Sequence, residues 1–240
     1  MTLRLNQPEK HNALDIAAMH RLADTLGELE GDTGVRVLVL TGTGAKTFCA
    51  GADLTGVDGS YPWWENPLDT VCTRLEGLPF ATVCALNGSV YGGGTDLALA
   101  CDFRIGQTGQ RMFIPPARFG IHYQINGLRR AQERMGLGAA KRLYLAGETF
   151  DADEMKHCAF LDHVVAPEAY AQFVADYVAE LAGMAPLSVR GMKYVLNASA
   201  RGNLDYARAM VGVRECFTSE DFVEGGAAIA EKRKPVFKGR

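Results

Sequence analysis

The stretch NGSVYGGGTDLALACD, residues 87–102, places three glycines, Gly92 to Gly94, just ahead of a short apolar segment that contains one acid, Asp96. The run before it, FATVCALNG (80–88), is typical of a strand buried on both faces, and DLALACD indicates a short buried helix. A strand that meets glycines and then a helix leaves backbone N–H groups unpaired at the helix start, where they stabilise negative charge. The stretch therefore predicts strand–helix order and an anion site at this turn.

A second stretch of the same kind lies upstream. VRVLVLTG (35–42) predicts another buried strand, and TFCAGADLTG (47–56) follows it with small residues whose backbone a ligand can approach. Two such turns can each donate one N–H to the same oxygen, which is the arrangement of an oxyanion hole. Tight turns or close strand–helix packing remain the alternative explanation for either turn taken alone.

Helical periodicity surrounds these strands. Residues 14–32 carry apolar side chains at steps of three and four, which predicts an amphipathic helix facing the core. From Asn126 onward the pattern is mostly helical, with LDHVV (161–165) as its β segment. Strands that alternate with helices in the first half indicate the α/β class. The pattern predicts long helices over 167–183, 186–201 and 203–217.

Composition limits the possible partners. The chain has 240 residues, is 48% hydrophobic and carries a formal charge of −3 at pH 7, so it lacks the positive field that nucleic acid or an anionic membrane would require. No apolar run approaches the roughly 18 residues that span a bilayer, and MTLRLNQPEK (1–10) has no signal-peptide core. We expect a cytoplasmic protein with neither kind of partner.

The cysteines and histidines do not form a metal-binding pattern. The six cysteines contain no CxxC pair and mostly lie in apolar company, so buried reduced thiols are expected. The five histidines show no ligand spacing. No metal is expected.

Several motifs together resemble the enoyl-CoA hydratase/isomerase (crotonase) superfamily over nearly the whole chain. They are PEKHNALD, VLVLTGTGAKTFCAGADL, ALNGSVYGGGTDLALACDFRI, LDHVV and the tail EDFVEGGAAIAEKRKPVFKGR. The resemblance implies a crotonase-like spiral of ββα turns over residues 1–183 and a helical C-terminal trimerisation region over 184–240. It also implies a homotrimer or hexamer that acts on a coenzyme A thioester without a separate cofactor.

The same resemblance implies a set of site residues. The thioester carbonyl would lie between the backbone N–H groups of Ala52 and Gly93. Lys232 would reach CoA, in some family members across a subunit boundary, although a solvated basic helix end explains it equally well. The remaining CoA-binding positions implied by the motifs are Lys10 and Ala13 for the nucleotide portion and Ala50, Asp53 and Leu54 for the adenine or pantetheine.

The sequence departs from the hydratase pattern at the catalytic acids. Family hydratases hold one water between two glutamates; here the first position is Asp96, and the second, in MFIPPARFGIHY (112–123), is Ala117. Alanine cannot transfer a proton, and a positioned acid or base contributes about 10²–10⁴-fold. We therefore expect ordinary hydration to be crippled and Asp96 to serve as the remaining acid or base.

Tyr123 offers an alternative, because a tyrosine stands at a similar position in the methylmalonyl-CoA decarboxylase branch. NGSVYGG, SEDFVEG and EKRKPVFKG also resemble that branch, but its oxyanion loop has histidine where this chain has Ala52. Loss of carbon dioxide leaves an enolate without any base, and an oxyanion hole would stabilise it. Tyr123 is equally interpreted as a half-buried aromatic, and the adjacent His122 as structural or exposed.

Three hypotheses follow: an acyl-CoA enzyme of the hydratase/isomerase type that uses Asp96, an acyl-CoA decarboxylase that uses Tyr123, and a non-catalytic acyl-CoA binder. The aromatic segment TGVDGSYPWWENPLD (55–69) is a candidate lid over the acyl chain, or its Trp63 and Trp64 anchor a subunit contact.

Overall fold

The larger of the two sheets is parallel and has five strands. The structure is a computed structural model that describes residues 1–54, 62, 65 and 67–240. The strand order is β1-β2-β4-β6-β9, and neighbouring strands pair in parallel throughout. Strand β2 is buried at every residue, as the apolar run at 35–42 predicts. The strands are β1 (Thr2–Leu5), β2 (Val37–Gly42), β4 (Ala81–Ala85), β6 (Phe103–Gln107) and β9 (His163–Val165).

The second sheet is smaller and mixed. Three of its strands each come directly after a strand of the large sheet along the chain. Its order is β3-β5-β7-β8, with β8 antiparallel to β7. The strands are β3 (Thr47–Cys49), β5 (Ser89–Tyr91), β7 (Arg111–Phe113) and β8 (Thr149–Asp151).

The chain passes repeatedly from one sheet to the other and then through a helix. The repeating units are β2-β3-α2, β4-β5-α3 and β6-β7-α4, so each turn adds one strand to each sheet. This order confirms the predicted spiral of ββα turns. The helices of this part are α1 (Ile16–Leu29), α2 (Leu68–Gly77), α3 (Gly93–Ala100), α4 (Ile125–Tyr144) and α5 (Ala152–His157).

Four further helices complete the described part of the chain. Helix α6 (Pro167–Ala182) packs on β2, β4, β6 and β9 and covers the large sheet. Helix α7 (Pro186–Ala200) crosses the amino-terminal ends of the strands. There Lys193 donates to the Asp102 carboxylate at 2.7 Å and to the Phe80 carbonyl at 2.9 Å. The helices are α6 (Pro167–Ala182), α7 (Pro186–Ala200), α8 (Tyr206–Phe217) and α9 (Glu220–Glu231). No helix within the described residues is both long and apolar enough to cross a membrane.

The structure corrects the sequence prediction in the second half. Strand β8 (Thr149–Asp151) was not predicted, because its single inward residue, Phe150, gives no alternating pattern. Helix α8 begins at Tyr206 rather than at 203, since the Asp205 carboxylate caps it by accepting from the Arg208 N–H. The helical pattern from Asn126 onward begins with α4, which has a kink at Gly136.

Candidate active site

Two asparagines fix the turn between β2 and β3. Asn87 accepts from the Gly42 N–H at 2.8 Å and donates to the Thr47 carbonyl at 3.1 Å. Asn12 donates to the carbonyls of Thr43 and Thr47 at 3.0 and 2.9 Å. These bonds set the path of β3 and of the loop that follows it.

The backbone of Ala52 is turned toward the second glycine-rich turn. Leu14 N–H donates to the Gly51 carbonyl, and Asp53 N–H donates to the Leu14 carbonyl, both at 2.8 Å. In such a parallel bridge the residue between the two bonded positions directs its own N–H and C=O the other way. The Ala52 N–H accordingly has no backbone hydrogen-bond partner among the described residues.

Gly93 brings a second N–H to the same place, and within the described part of the chain it too has no backbone partner. It is the first residue of α3, so its N–H precedes the helical hydrogen-bond ladder. Gly51 has φ +88°, and a Cβ added there would lie 2.4 Å from the Gly93 nitrogen. A Cβ on Gly93 would lie 3.6 Å from the Ala52 nitrogen. The two turns thus touch, and their N–H groups can donate to one oxygen.

Asp96 lies one helical turn beyond Gly93 and is fully buried, with its carboxylate held by Arg130 of α4. Arg130 Nε donates to Oδ1 at 2.7 Å, and Nη2 donates to Oδ2 at 3.0 Å. Both side chains have 0% exposure. This is a bidentate, charge-assisted pair that removes both groups from water.

Burial and the partner's charge shift the pKa values of Asp96 and Arg130 in opposite directions. Burial raises the pKa of Asp96 above its ordinary value, and the hydrogen bonds and charge of Arg130 oppose that rise. Burial acts to lower the pKa of Arg130, but Asp96 outweighs it and raises that pKa. Because the guanidinium stays protonated, Arg130 supplies a fixed positive charge beside the Asp96 carboxyl at neutral pH.

A wider ion network extends from this pair to the C-terminal helices. Glu76, at the end of α2, accepts from Arg129 at 2.9 Å and lies 3.4 Å from Arg130 and 2.6 Å from Arg201. Burial acts to raise the pKa of Glu76, but the three arginines outweigh it and lower the pKa below its usual range. The network connects α2, α3 and α4 with the end of α7.

Tyr123 lies beside Asp96 at the start of α4. Its hydroxyl is buried and has no hydrogen-bond partner among the described residues, and its ring packs edge-on against Tyr144 with centroids 4.9 Å apart. Burial raises the pKa of Tyr123 well above its ordinary value, and the charge of Asp96 adds to the rise. The phenol is therefore neutral and able to donate.

Gly127 allows α4 to approach both groups, and an added methyl there should be costly. A Cβ at this position would lie 2.6 Å from Tyr123 Cε1 and 2.7 Å from Asp96 Oδ2. Because Arg130 fixes Asp96, we expect Gly127→Ala to lower the free energy of unfolding by about 1–3 kcal/mol, measured by urea denaturation. Gly138→Ala in the same helix is the control: it meets no atom within 4 Å, so it should be neutral or stabilising. Equal effects at the two glycines would contradict the prediction.

Ala117 occupies an exposed turn. It lies in the short 3₁₀ helix Pro116–Phe119 and offers no side-chain acid. Arg118 donates to the Gly147 carbonyl at 3.0 Å, and the exposed His122 has Nδ1 2.8 Å from the Tyr123 carbonyl oxygen. None of these side chains is shown to contact Asp96.

The predicted CoA-binding residues fall on two adjacent segments. Lys10 is half exposed and donates to the Asp53 carboxylate at 2.8 Å, while Ala50 N–H donates to the His11 carbonyl at 3.0 Å. Ala13 is buried beside them and Leu54 is exposed. The structure thus brings these five residues to one edge of the Ala52 turn, with Lys10 already paired.

Lys232 is placed elsewhere in the single chain. It ends α9, and the tail beyond it contacts Arg36, which donates to the Phe237 carbonyl at the amino-terminal end of β2. The loop between β2 and β3 lies at the opposite end of that strand. The described contacts do not join Lys232 to the Ala52 turn. Trp63 and Trp64 lie outside the described residues.

Sequence reasoning missed Arg130, Glu76 and Asp69. Arg130 lies in a charged stretch that is typical of a solvated helix face. It is nevertheless on the buried face of α4, because Arg130 and Ala131 follow the buried Gly127 by three and four residues. That periodicity could have revealed a buried arginine. Nothing in the sequence pairs it with Asp96, since the two residues are 34 positions apart.

Comparisons with known proteins identify the family of this chain. The enoyl-CoA hydratase/isomerase family model matches residues 1–240. The short-chain-enoyl-CoA hydratase of Clostridium acetobutylicum is 30% identical, over 98% of this chain and 93% of its own. The (E)-benzylidenesuccinyl-CoA hydratase of Thauera aromatica is 30% identical, over 98% and 94%.

Solved structures show the same fold. The crystal structure of an enoyl-CoA hydratase from Bacillus anthracis is 29% identical, with a TM-score of 0.88 over 100% of this chain and 95% of that one. The resemblance that the motifs indicate is thereby confirmed, and this chain belongs to the enoyl-CoA hydratase/isomerase (crotonase) family.

Proposed function

We propose that this protein is an acyl-CoA enzyme that forms a thioester enolate and holds its oxygen between the N–H groups of Ala52 and Gly93. The observation that carries the proposal is the contact between the two turns, where a Cβ added to Gly51 would lie 2.4 Å from the Gly93 nitrogen. Hydrogen-bond donors aimed at a developing negative charge are worth more in a buried site than in water. The substrate class, coenzyme A thioesters, follows from the family.

Asp96 is the acid or base in this proposal. It shares a face of α3 with Gly93, because residues three apart on a helix are neighbours. Arg130 uses two of the roughly four acceptor sites of the carboxylate and the Cys72 thiol uses a third, which leaves one site free. Asp96 can therefore still hold a water or accept a proton from it.

The test is mass spectrometry of a mixed pool of enoyl-, hydroxyacyl-, malonyl- and aroyl-CoA thioesters incubated in deuterated water. We expect gain of water or uptake of deuterium with the native protein, reduced by about 10²–10⁴-fold in Asp96→Asn. CoA binding is measured in the same samples. Binding without any change in the pool would sink the enzyme proposal in favour of a non-catalytic acyl-CoA binder.

Decarboxylation is the second candidate, favoured by the unpartnered hydroxyl of Tyr123 beside Asp96. A phenol with no hydrogen-bond partner among the described residues can donate to a substrate carboxylate, and breaking the C–C bond then leaves the same enolate. Release of carbon dioxide from the malonyl thioester, lost in Tyr123→Phe but retained in Asp96→Asn, would select this reaction.

The assembly is proposed to be a cytoplasmic homotrimer or hexamer. Helices α7, α8 and α9 line an apolar groove of about 1090 Å³ that includes Met192, Phe217 and Ile229. These three large apolar side chains are 60%, 64% and 82% exposed in the single chain, as is typical of a subunit interface. The six cysteines are all free, as a reducing compartment would keep them.

A further inference from the structure

Asp69, in the first turn of α2, is a carboxylate that the motifs do not assign. We propose that Asp69 is the second proton-transferring group of this site and performs the task of the acid that is missing at Ala117. The proposal rests on the enolate function proposed above. It gives the site two carboxylates again, with the second one supplied by a different element.

The start of α2 lies directly on the oxyanion turn. A Cβ added to Gly93 would lie 2.5 Å from Cδ2 of Leu68, so the side chain of Leu68 packs against the first residue of α3. Asp69 is the next residue along α2. Its carboxylate is therefore carried by the element that covers the proposed enolate-binding position.

Asp69 and Asp96 share one nitrogen. Nη2 of Arg130 lies 3.0 Å from Asp96 Oδ2 and 3.4 Å from Asp69 Oδ1. The other oxygen of Asp69 accepts from Asn126 Nδ2 at 2.8 Å. Each oxygen of Asp69 thus has one fixed partner, and the two carboxylates are held on either side of a single guanidinium.

Access to solvent distinguishes Asp69 from the other carboxylates of Arg130. Among the described residues, Arg130 contacts three carboxylates, and their side chains are 31% exposed at Asp69, 3% at Glu76 and 0% at Asp96. Glu76 is also bound by two further arginines. Only Asp69 of these three can exchange a proton with water while it stays in place.

The proposed step is heterolytic and balanced. The Cα–H bond of the acyl group breaks, and its proton moves to a carboxylate oxygen of Asp69. The electron pair forms a double bond between Cα and the thioester carbon, while the carbonyl π electrons move to the oxygen held by Ala52 and Gly93. Asp69 then exchanges its proton with solvent and returns one to Cα.

The test measures exchange of the Cα hydrogens of butyryl-CoA in deuterated water by mass spectrometry. The native protein is expected to incorporate deuterium, Asp69→Asn to be slower by about 10²–10⁴-fold, and Asp69→Glu to recover part of the rate. Glu168→Gln, an exposed carboxylate in the first turn of α6, is the control and should exchange at the native rate.

The outcomes separate the two proposals. No exchange and no turnover of any thioester by the native protein would overturn the enolate function itself. Native exchange that persists within about threefold in Asp69→Asn would overturn only the role of Asp69. A folding defect in Asp69→Asn is detected by its thermal unfolding and CoA binding.

A second variant tests the role with Asp69 itself unchanged. Its carboxylate is held by two side chains of α4, Asn126 and Arg130. Asn126→Ala removes the donor that holds Oδ2 of Asp69, so the exchange rate at saturating butyryl-CoA should fall while CoA binding stays at the native level. A purely structural Asp69 would leave that exchange rate unchanged, and this result would also overturn the proposal.

Discussion

Replacing Arg130 with methionine is expected to lower the free energy of unfolding by about 3–5 kcal/mol. The side chain is completely buried and binds Asp96 through two hydrogen bonds. Its removal leaves that carboxylate in the interior without a counter-ion, a state whose cost exceeds the value of the pair itself. Urea denaturation at neutral pH, followed by circular dichroism, measures the change.

Arg129→Met is the matched control, because the two arginines are adjacent and both bind Glu76. Arg129 is partly exposed, and Glu76 keeps Arg130 and Arg201 when it is lost, so the expected cost is below about 1 kcal/mol. Similar losses in the two variants would mean that Arg130 and Asp96 do not form the buried pair described here.

The cost of Arg130→Met should also depend on pH. In the native chain burial already raises the pKa of Asp96, and without Arg130 that rise is unopposed. A carboxyl whose folded pKa is raised loses folding stability as pH climbs above its unfolded value of about 3.9. The difference between native and variant stability is therefore expected to be smallest near pH 4 and to grow toward pH 7.

The repeating architecture could be predicted from local sequence, because it depends on runs of like residues. The strands at Val37–Gly42 and Ala81–Ala85 are buried over their whole length, so their apolar runs are continuous. Helix α3 begins within the glycine run, at Gly93. In contrast β8, three residues long, carries little periodic signal. Helix α2 does carry one, since Leu68, Val71, Cys72 and Leu75 recur at steps of three and four, and the sequence reasoning missed it.

The polar part of the site could be predicted only in part. The glycine-rich turns predict backbone N–H donors, since glycine is needed where two backbone segments are in contact. The partner of Asp96 could not be predicted. Arg130 reaches Asp96 because α4 packs on α3, and no local pattern encodes a contact between residues 34 positions apart. Asp69 was overlooked for the same reason, because its significance lies in sharing Arg130 with Asp96.

Gly51→Ala is expected to reduce turnover by at least about 10²–10³-fold, the cost of removing one oxyanion-hole donor. The new Cβ would lie 2.4 Å from the Gly93 nitrogen, so the two turns must separate. It would also have to adopt φ +88°, which alanine rarely does. Steady-state kinetics with whichever thioester the pool experiment identifies measure the loss in kcat.

Gly44→Ala separates the effect of backbone strain from that of donor geometry. Gly44 has φ +89°, almost the same as Gly51, but an added Cβ there meets only Pro8 Cβ at 3.9 Å. Both variants should therefore lose stability through strain of about 1–2 kcal/mol, whereas only Gly51→Ala should lose kcat. If the two variants lost kcat equally, strain transmitted through the loop would explain the result, and the paired N–H groups of Ala52 and Gly93 would have no special part in the reaction. If kcat survived in Gly51→Ala while the protein still bound CoA, the enolate would have to be stabilised by other groups.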